Sequence, residues 1–287
     1  MFIIGFISGL LSILIFRKKS SMMVGCGIYL LTTSITSLLT ITIFTIKYWQ
    51  LIFFQMNLIT NRSFLYMNCL LIDTLLKIFL SSGDWLNACV AIERAITSLQ
   101  GIKFNKLKSR YIAKCVIPII FALAILTYIH DPISRQLFDD EDEQRTWCII
   151  NYSFQLKIFD RFINLFHFLT PFIINFLSGL IIIIKELKTW TKTQKKVKNK
   201  TLFYVQINRH KHLIIAPCIL ILLALPRLII SFLSRCMESI RDSWLFLIGY
   251  YISFVPSLLI FAVFVLPSKK YKEEFLILIR KNPRTTQ

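Results

Sequence analysis

The chain has 287 residues, of which 55% are hydrophobic and 25 are phenylalanine, and its formal net charge is +19. Few soluble domains carry that apolar share, and several runs of about 20 apolar residues point to a helical membrane protein. The Lys and Arg cluster in short segments between those runs, as membrane topology signals do, so the charge argues for a lipid bilayer and against nucleic acid.

The first run, residues 2–16, is followed at once by Arg17, Lys18 and Lys19. A secretory leader would place its positive charge ahead of the apolar run, so this one reads as an anchor with its N-terminus outside. The second run, 24–47, is rich in Thr and Ser, which bond back to their own helix and tolerate close packing. Asn61, Arg62 and Ser63 then form a glycosylation sequon. The third run, 66–94, holds Cys69 near its start and Glu93-Arg94 at its end, a separation of 25 residues (94 − 69). That is roughly 37 Å of helix, which sets the cysteine near one membrane surface and the acid–arginine pair near the other.

The fourth run, 111–129, ends at His130-Asp131-Pro132, which reads as a helix stop. The segment 130–157 after it carries an unbroken acidic stretch at 139–143, then Trp147-Cys148 and a second sequon at Asn151. We read it as a solvated loop. The fifth run, 160–184, contains Pro171, and the segment 185–211 that follows has nine Lys or Arg against one acid, Glu186. The sixth run, 212–234, contains Pro217 and Pro226; the seventh, 243–266, contains Pro256. Membrane helices accept such prolines because neighbours re-satisfy the freed carbonyls. Residues 268–280 then place Tyr271, Phe275, Leu276 and Ile279 on one helical face with charges opposite, as suits a helix lying in the membrane interface.

These runs predict an all-α membrane protein, a seven-transmembrane helix bundle with a short amphipathic eighth helix, forming one domain over 1–287. The basic segments 17–19, 103–114, 185–211 and 269–284 then fall on one side. The sequons at Asn61 and Asn151 fall on the other, and a third at Asn199 falls on the basic side, where it stays unmodified. Seven cysteines is an odd count; Cys26, Cys89, Cys115 and Cys218 lie in or beside apolar runs as small hydrophobes, leaving Cys69, Cys148 and Cys236 within reach of an oxidising exterior. The sequence has no CxxC or HExxH spacing and its histidines are scattered, so no metal or other cofactor is expected.

Charge within the spans is costly unless it faces inward. On the third run Asp73, Lys77 and Asp84 fall within roughly 40° of one another, and an ionised residue facing lipid would cost at least about 2.5–3.5 kcal/mol. Arg227, directly after Pro226, lies about 10 Å below the outer end of the sixth run. Two readings stay open. Asp73 pairs with Lys77 at i, i+4 and Asp84 with Arg227 or water; or Asp73, Lys77 and Arg227 contact a ligand, with an anionic group favoured at the two cations. Paired halves of the transporter kind are absent from the sequence. Asp73 and Asp84 lie on one helix, too far apart to act as a catalytic pair.

The cysteine and the Glu93-Arg94 pair at opposite ends of the third run, with Pro171, Pro226, Pro256 and the amphipathic stretch 268–280, resemble the rhodopsin-like G-protein-coupled receptors across nearly the whole chain. The finer flavour is similar to invertebrate orphan receptors of the peptide type. The resemblance implies a disulfide between Cys69 and Cys148, a switch at Glu93 and Arg94, and kinks at the three prolines. It implies an extracellular ligand, peptide or small molecule, bound among the helices, a heterotrimeric G protein as partner, a plasma-membrane location with the N-terminus outside, and no enzymatic activity. The chain departs from the family pattern at Gly9 (for Asn), Ser37 (for Asp), Ala95 (for Tyr), Ala224 (for Trp), and Val255 and Leu259 (for the Asn and Tyr around Pro256). A receptor-like protein with degenerate switch motifs, or a seven-helix transporter, is the alternative.

Overall fold

The computed structural model describes residues 2–19, 21–55, 61–140, 145–196, 254–259, 261–265 and 268–281. The sixth run, with Pro226 and Arg227, lies outside the described residues, as do Cys218, Cys236 and Asn199.

Helix α1, Phe2–Phe16, lies against α2, Gly25–Gln55. The contact is close because α1 turns small residues toward its neighbours. A Cβ built on Gly9 would stand 3.0 Å from Leu38 Cδ1, and one on Gly5 would stand 2.5 Å from Leu258 Cδ2. Small residues four apart let helices approach where lipid offers no hydrophobic drive. The Thr and Ser of α2 bond back to their own carbonyls, as Ser34 does to Leu30 at 2.8 Å and Thr40 to Thr36 at 2.8 Å. These hydroxyls are thus satisfied inside the bundle, whereas the buried Thr33 Oγ1 makes no hydrogen bond.

Helix α3, Arg62–Gln100, runs from an Asn61 cap, whose side chain accepts from the Ser63 and Phe64 N–H groups, to Gly101 at φ 54°. Both α2 and α3 outrun their apolar stretches. Hydropathy marks the part that crosses hydrocarbon, whereas caps mark where a helix ends. A short 3₁₀ turn, Gly101–Lys103, leads to α4, Lys106–Tyr128. Pro118 lies inside α4. Helix α4 ends at Tyr128, just before the His130-Asp131-Pro132 stop, and those residues form a separate single turn, α5, His130–Ile133. Pro132 is accepted there because the first turn of a helix needs no N–H from it.

The predicted solvated loop is instead an antiparallel hairpin, β1 Arg135–Asp140 and β2 Arg145–Ile150, with Leu137 opposite Cys148. Two of the acids that read as a loop, Asp139 and Asp140, end β1 opposite Thr146 and Arg145, and residues 141–144 lie outside the described residues. Helix α6, Phe154–Lys196, holds Pro171. Of the seventh run the described residues show one turn of helix, α7 Val255–Leu258, which contains Pro256, and a π-helical turn, Phe261–Val265. Four helices among the described residues are long and apolar enough to cross a membrane, at Gly25–Gln50, Arg62–Lys103, Lys106–Ile133 and Phe154–Lys185, and Phe2–Phe16 is a shorter apolar helix.

One core lies where α1, α2, α3, α4 and the π turn converge, built from Phe16, Leu30, Leu86, Val90, Ala113 and Phe264. Helix α8, Lys269–Lys281, is seated on it. Tyr271 packs edge-on against Phe16 at 5.1 Å, and Phe275 against Phe261 at 5.1 Å. Lys18 reaches the Glu274 carbonyl at 3.0 Å.

Candidate functional site

The hairpin is tied to α3 by a disulfide between Cys69 and Cys148, 79 residues apart in sequence. Beneath it lies a chain of charges of alternating sign. Lys47 on α2 meets Asp73 on α3. Asp73 meets Arg135 of β1 at 2.8 Å, and Arg135 meets Asp131 of α5 at 2.9 Å. Asp131 meets Lys77 on α3 at 3.1 Å, and Lys77 meets Asp160 on α6 at 3.5 Å. His130 and Asn164 also bond Asp160, at 3.3 and 2.9 Å. The hydroxyls of Thr74 and Tyr152 both donate to Asp131.

Burial divides this chain into a base and a rim. The side chains of Arg135 and Asp131 are 3% and 0% exposed, whereas Lys47, Asp73 and Lys77 keep 24%, 29% and 28%. Burial alone would lower the Arg135 pKa; the Asp73 and Asp131 carboxylates outweigh it and raise it. Burial, and then the bond to Asp131, pushes the Tyr152 phenol above its ordinary value. The base is a neutralised structural pair. The rim is where a solute's charge could exchange with a partner already present.

Asp73 and Lys77 do face inward, but they do not pair with each other. Asp73 is engaged by Lys47 and Arg135, and Lys77 by Asp131 and Asp160. The i, i+4 pairing fails because carboxylates from other elements reach Lys77 in the folded chain, and cations from other elements reach Asp73. Arg227 lies outside the described residues, and Asp84 is half-buried on α3. Sequence reading missed Lys47, Asp131, Arg135 and Asp160. Each lies at an outer end of a predicted span, or just past it, so a count of charges at that level would have gathered them.

Below the cluster, Tyr128 joins α4 to α3 through Ser81 at 2.9 Å and stacks on His167 of α6. The indole N–H of Trp85 donates to His167 Nδ1 at 2.9 Å. An indole can only donate, so the imidazole carries its hydrogen on Nε2 and offers it to the Thr127 hydroxyl at 2.8 Å. Pro171 lies one turn on and has no N–H for the carbonyl four residues back; its own carbonyl accepts from Asn175 at 2.9 Å.

At the other end of α3, Glu93 is buried and accepts from the Ser109 hydroxyl and the Cys26 backbone N–H. Ser109 in turn accepts the Gly25 N–H at 3.1 Å. Arg94 does not close onto Glu93; its guanidinium lies 5.1 Å from the Phe264 ring. The carboxylate therefore joins the ends of α2, α3 and α4, and the arginine faces the π turn. Asn61 and Asn151 are both exposed at the hairpin end.

Residues 9–259 match the sequence model of the family described as 7 transmembrane receptor (rhodopsin family). No curated protein matches the chain.

Proposed function

This chain belongs to the rhodopsin family of seven-transmembrane receptors, and on that premise we propose that it binds an extracellular ligand at the charged rim beneath its hairpin and activates a heterotrimeric G protein at the Glu93-Arg94 end. Family membership makes it a multi-pass membrane receptor for signalling, neither an enzyme nor a transporter. The observation that supports the finer reading is α3 itself. One helix carries the half-exposed Asp73 and Lys77 under a disulfide-tied hairpin at one end, and Glu93 and Arg94 at the other.

In this reading a ligand competes for partners at the rim: its anionic group takes Lys77, with Arg227 as the second cation, and a basic group takes Asp73. Each exchange favours one of two packings by differential affinity, which is all a ligand can do to a two-state protein. Pro171, Pro226 and Pro256 supply the kinks that such repacking uses. The hairpin face is extracellular, with glycans on Asn61 and Asn151, and the N-terminus lies on that side. Helix α8 lies in the cytoplasmic interface, and the ligand is a peptide or small molecule of the kind read by invertebrate peptide-type receptors.

The test is nucleotide exchange on a panel of G proteins, with the chain expressed at the cell surface and screened against neuropeptides and amines. Ligand-dependent exchange that Lys77→Ala reduces without loss of surface expression supports the reading. Surface-expressed protein that drives no exchange with any G protein supports the second reading, a receptor-like protein with degenerate switches. That reading is favoured by Glu93 holding Ser109 instead of Arg94, and by Ala95, Val255 and Leu259 where the family keeps Tyr, Asn and Tyr.

A further inference from the structure

We propose that the ring of Phe264 is the group that positions Arg94, so that freeing Arg94 for a partner takes a repacking of the π turn and α8 and not the parting of an ion pair. The inference rests on the reading that the Glu93-Arg94 end of α3 receives a G protein. Neighbours in a helix point about 100° apart, and this pair divides accordingly. Glu93 turns to α2 and α4, where the Cys26 backbone N–H and the Ser109 hydroxyl hold it. Among the described residues Arg94 forms no ion pair and no side-chain hydrogen bond. Its guanidinium carbon lies over the Phe264 ring, 5.1 Å from the centre.

The ring has no room to turn away. Phe264 is 2% exposed and Val265 0%, and both pack in one core with Leu86 and Val90. Those two residues stand two turns and one turn before Arg94, so they share its flank of α3. A helical side chain leans back toward the N-terminus, which lays the guanidinium along that flank and onto the ring. A cation over an aromatic face is attracted by the ring quadrupole, and more strongly where water is excluded. Helix α8 in turn fixes the π turn. Phe275 is edge-on to Phe261 at 5.1 Å, Tyr271 is edge-on to Phe16 at 5.1 Å, and Lys18 holds the Glu274 carbonyl at 3.0 Å. The Tyr271 phenol lies within electrostatic reach of both Arg94 and Glu93. Arg94 is thus bracketed by the π turn and α8, and neither contact is an ion pair.

The test replaces Phe264 in the full chain with mono-, di- and trifluorophenylalanine, since fluorine drains negative charge from the ring face and barely changes its shape. Thermal unfolding of the purified protein is expected to show Tm falling stepwise with each fluorine, and the steps are expected to vanish when Arg94→Gln is added. A ring that only fills space would give equal Tm across the series. That result, or the same steps without the guanidinium, overturns the proposal. In membranes with a panel of G proteins, basal nucleotide exchange is expected to rise with each fluorine, by about fivefold at the third, the weight of one such contact. Phe264→Leu, which keeps an apolar group and loses the ring face, is expected to raise it as much. Exchange by the parent that stays constant along the series overturns the positioning role. Stepwise Tm with no exchange from the parent or any variant supports the hold of Phe264 on Arg94 and counts against the G-protein reading instead.

Discussion

At Arg135 one guanidinium meets three groups: Asp73 on α3, Asp131 on α5, and the Cys148 sulfur, 3.8 Å from its Nη1. Ion pairs this deep are not proof of net stability, because both partners had to leave water. Removing one partner is different, since it strands the other. Arg135→Ala leaves the fully buried Asp131 with Lys77 alone and Asp73 with Lys47 alone, and about 3 kcal/mol of destabilisation is expected, the low end for a broken buried pair because each carboxylate keeps one cation. Arg135→Lys keeps the charge without the fork and falls between the two. Thermal unfolding of the solubilised protein checks this; an alanine variant as stable as the parent would show that water or lipid can replace the guanidinium. At the other end the residue to watch is Ser109. Because Glu93 bonds Ser109 and not Arg94, Glu93→Gln and Ser109→Ala are both expected to loosen the α2–α3–α4 junction and raise basal nucleotide exchange. Arg94→Ala is expected to abolish exchange. If Glu93→Gln acts and Ser109→Ala does not, the carboxylate works on Arg94 through space after all. Asp73 and Lys77 were legible as inward-facing from helical spacing and the cost of charge in lipid. Their partners were not, because partner choice depends on which loop ends meet in space.

The elements divide in the same way. Runs of apolar residues located α1 to α4 and α6 because nothing but a helix or a closed barrel satisfies its backbone inside hydrocarbon. The same runs could not show that α3 extends from Asn61 to Gly101, since capping chemistry acts outside the bilayer. The hairpin was hidden for another reason. The acidic stretch 139–143 dominated the reading of the segment, while the strands beside it are only six residues each. Family resemblance indicated the bond between Cys69 and Cys148, and the structure contains it. Closing a loop of 79 residues restricts the unfolded chain by roughly 4–5 kcal/mol in the chain-entropy model. Labelling of intact cells with a membrane-impermeant maleimide is expected to leave Cys148 unmodified until reductant is added, with Cys236 the thiol that reacts beforehand. Reaction of Cys148 without reductant, in protein that has reached the surface, would falsify the tether.

For the molecule as a whole, the order of spans and the placement of charge constrain one another. The hairpin end of the bundle holds the disulfide, the ionic cluster and two exposed sequons; the opposite end holds Glu93, the α4 cations and Lys18 against α8. A disulfide needs an oxidising compartment, and dense Lys and Arg favour the cytoplasm. Both arguments orient the molecule the same way, although they rest on different chemistry. Glycosylation supplies a third and independent test, because the transferase acts only on the lumenal side. Asn61 is suited to it: its cap to α3 uses Oδ1 alone, at 3.1 Å from the Ser63 N–H, and leaves the amide nitrogen for the sugar. Asn151 follows directly on β2, its backbone N–H held by the Ser134 carbonyl at 2.9 Å. In cells, Asn61→Gln and Asn151→Gln are each expected to remove one glycan from the mobility of the protein on a gel, and the double variant to match enzymatically deglycosylated parent. Asn199→Gln should change nothing. A glycan on Asn199, with none on the other two, would invert the bundle and place the charged rim in the cytoplasm. The rim would then lie out of reach of any extracellular ligand, whatever its affinity for Asp73 and Lys77.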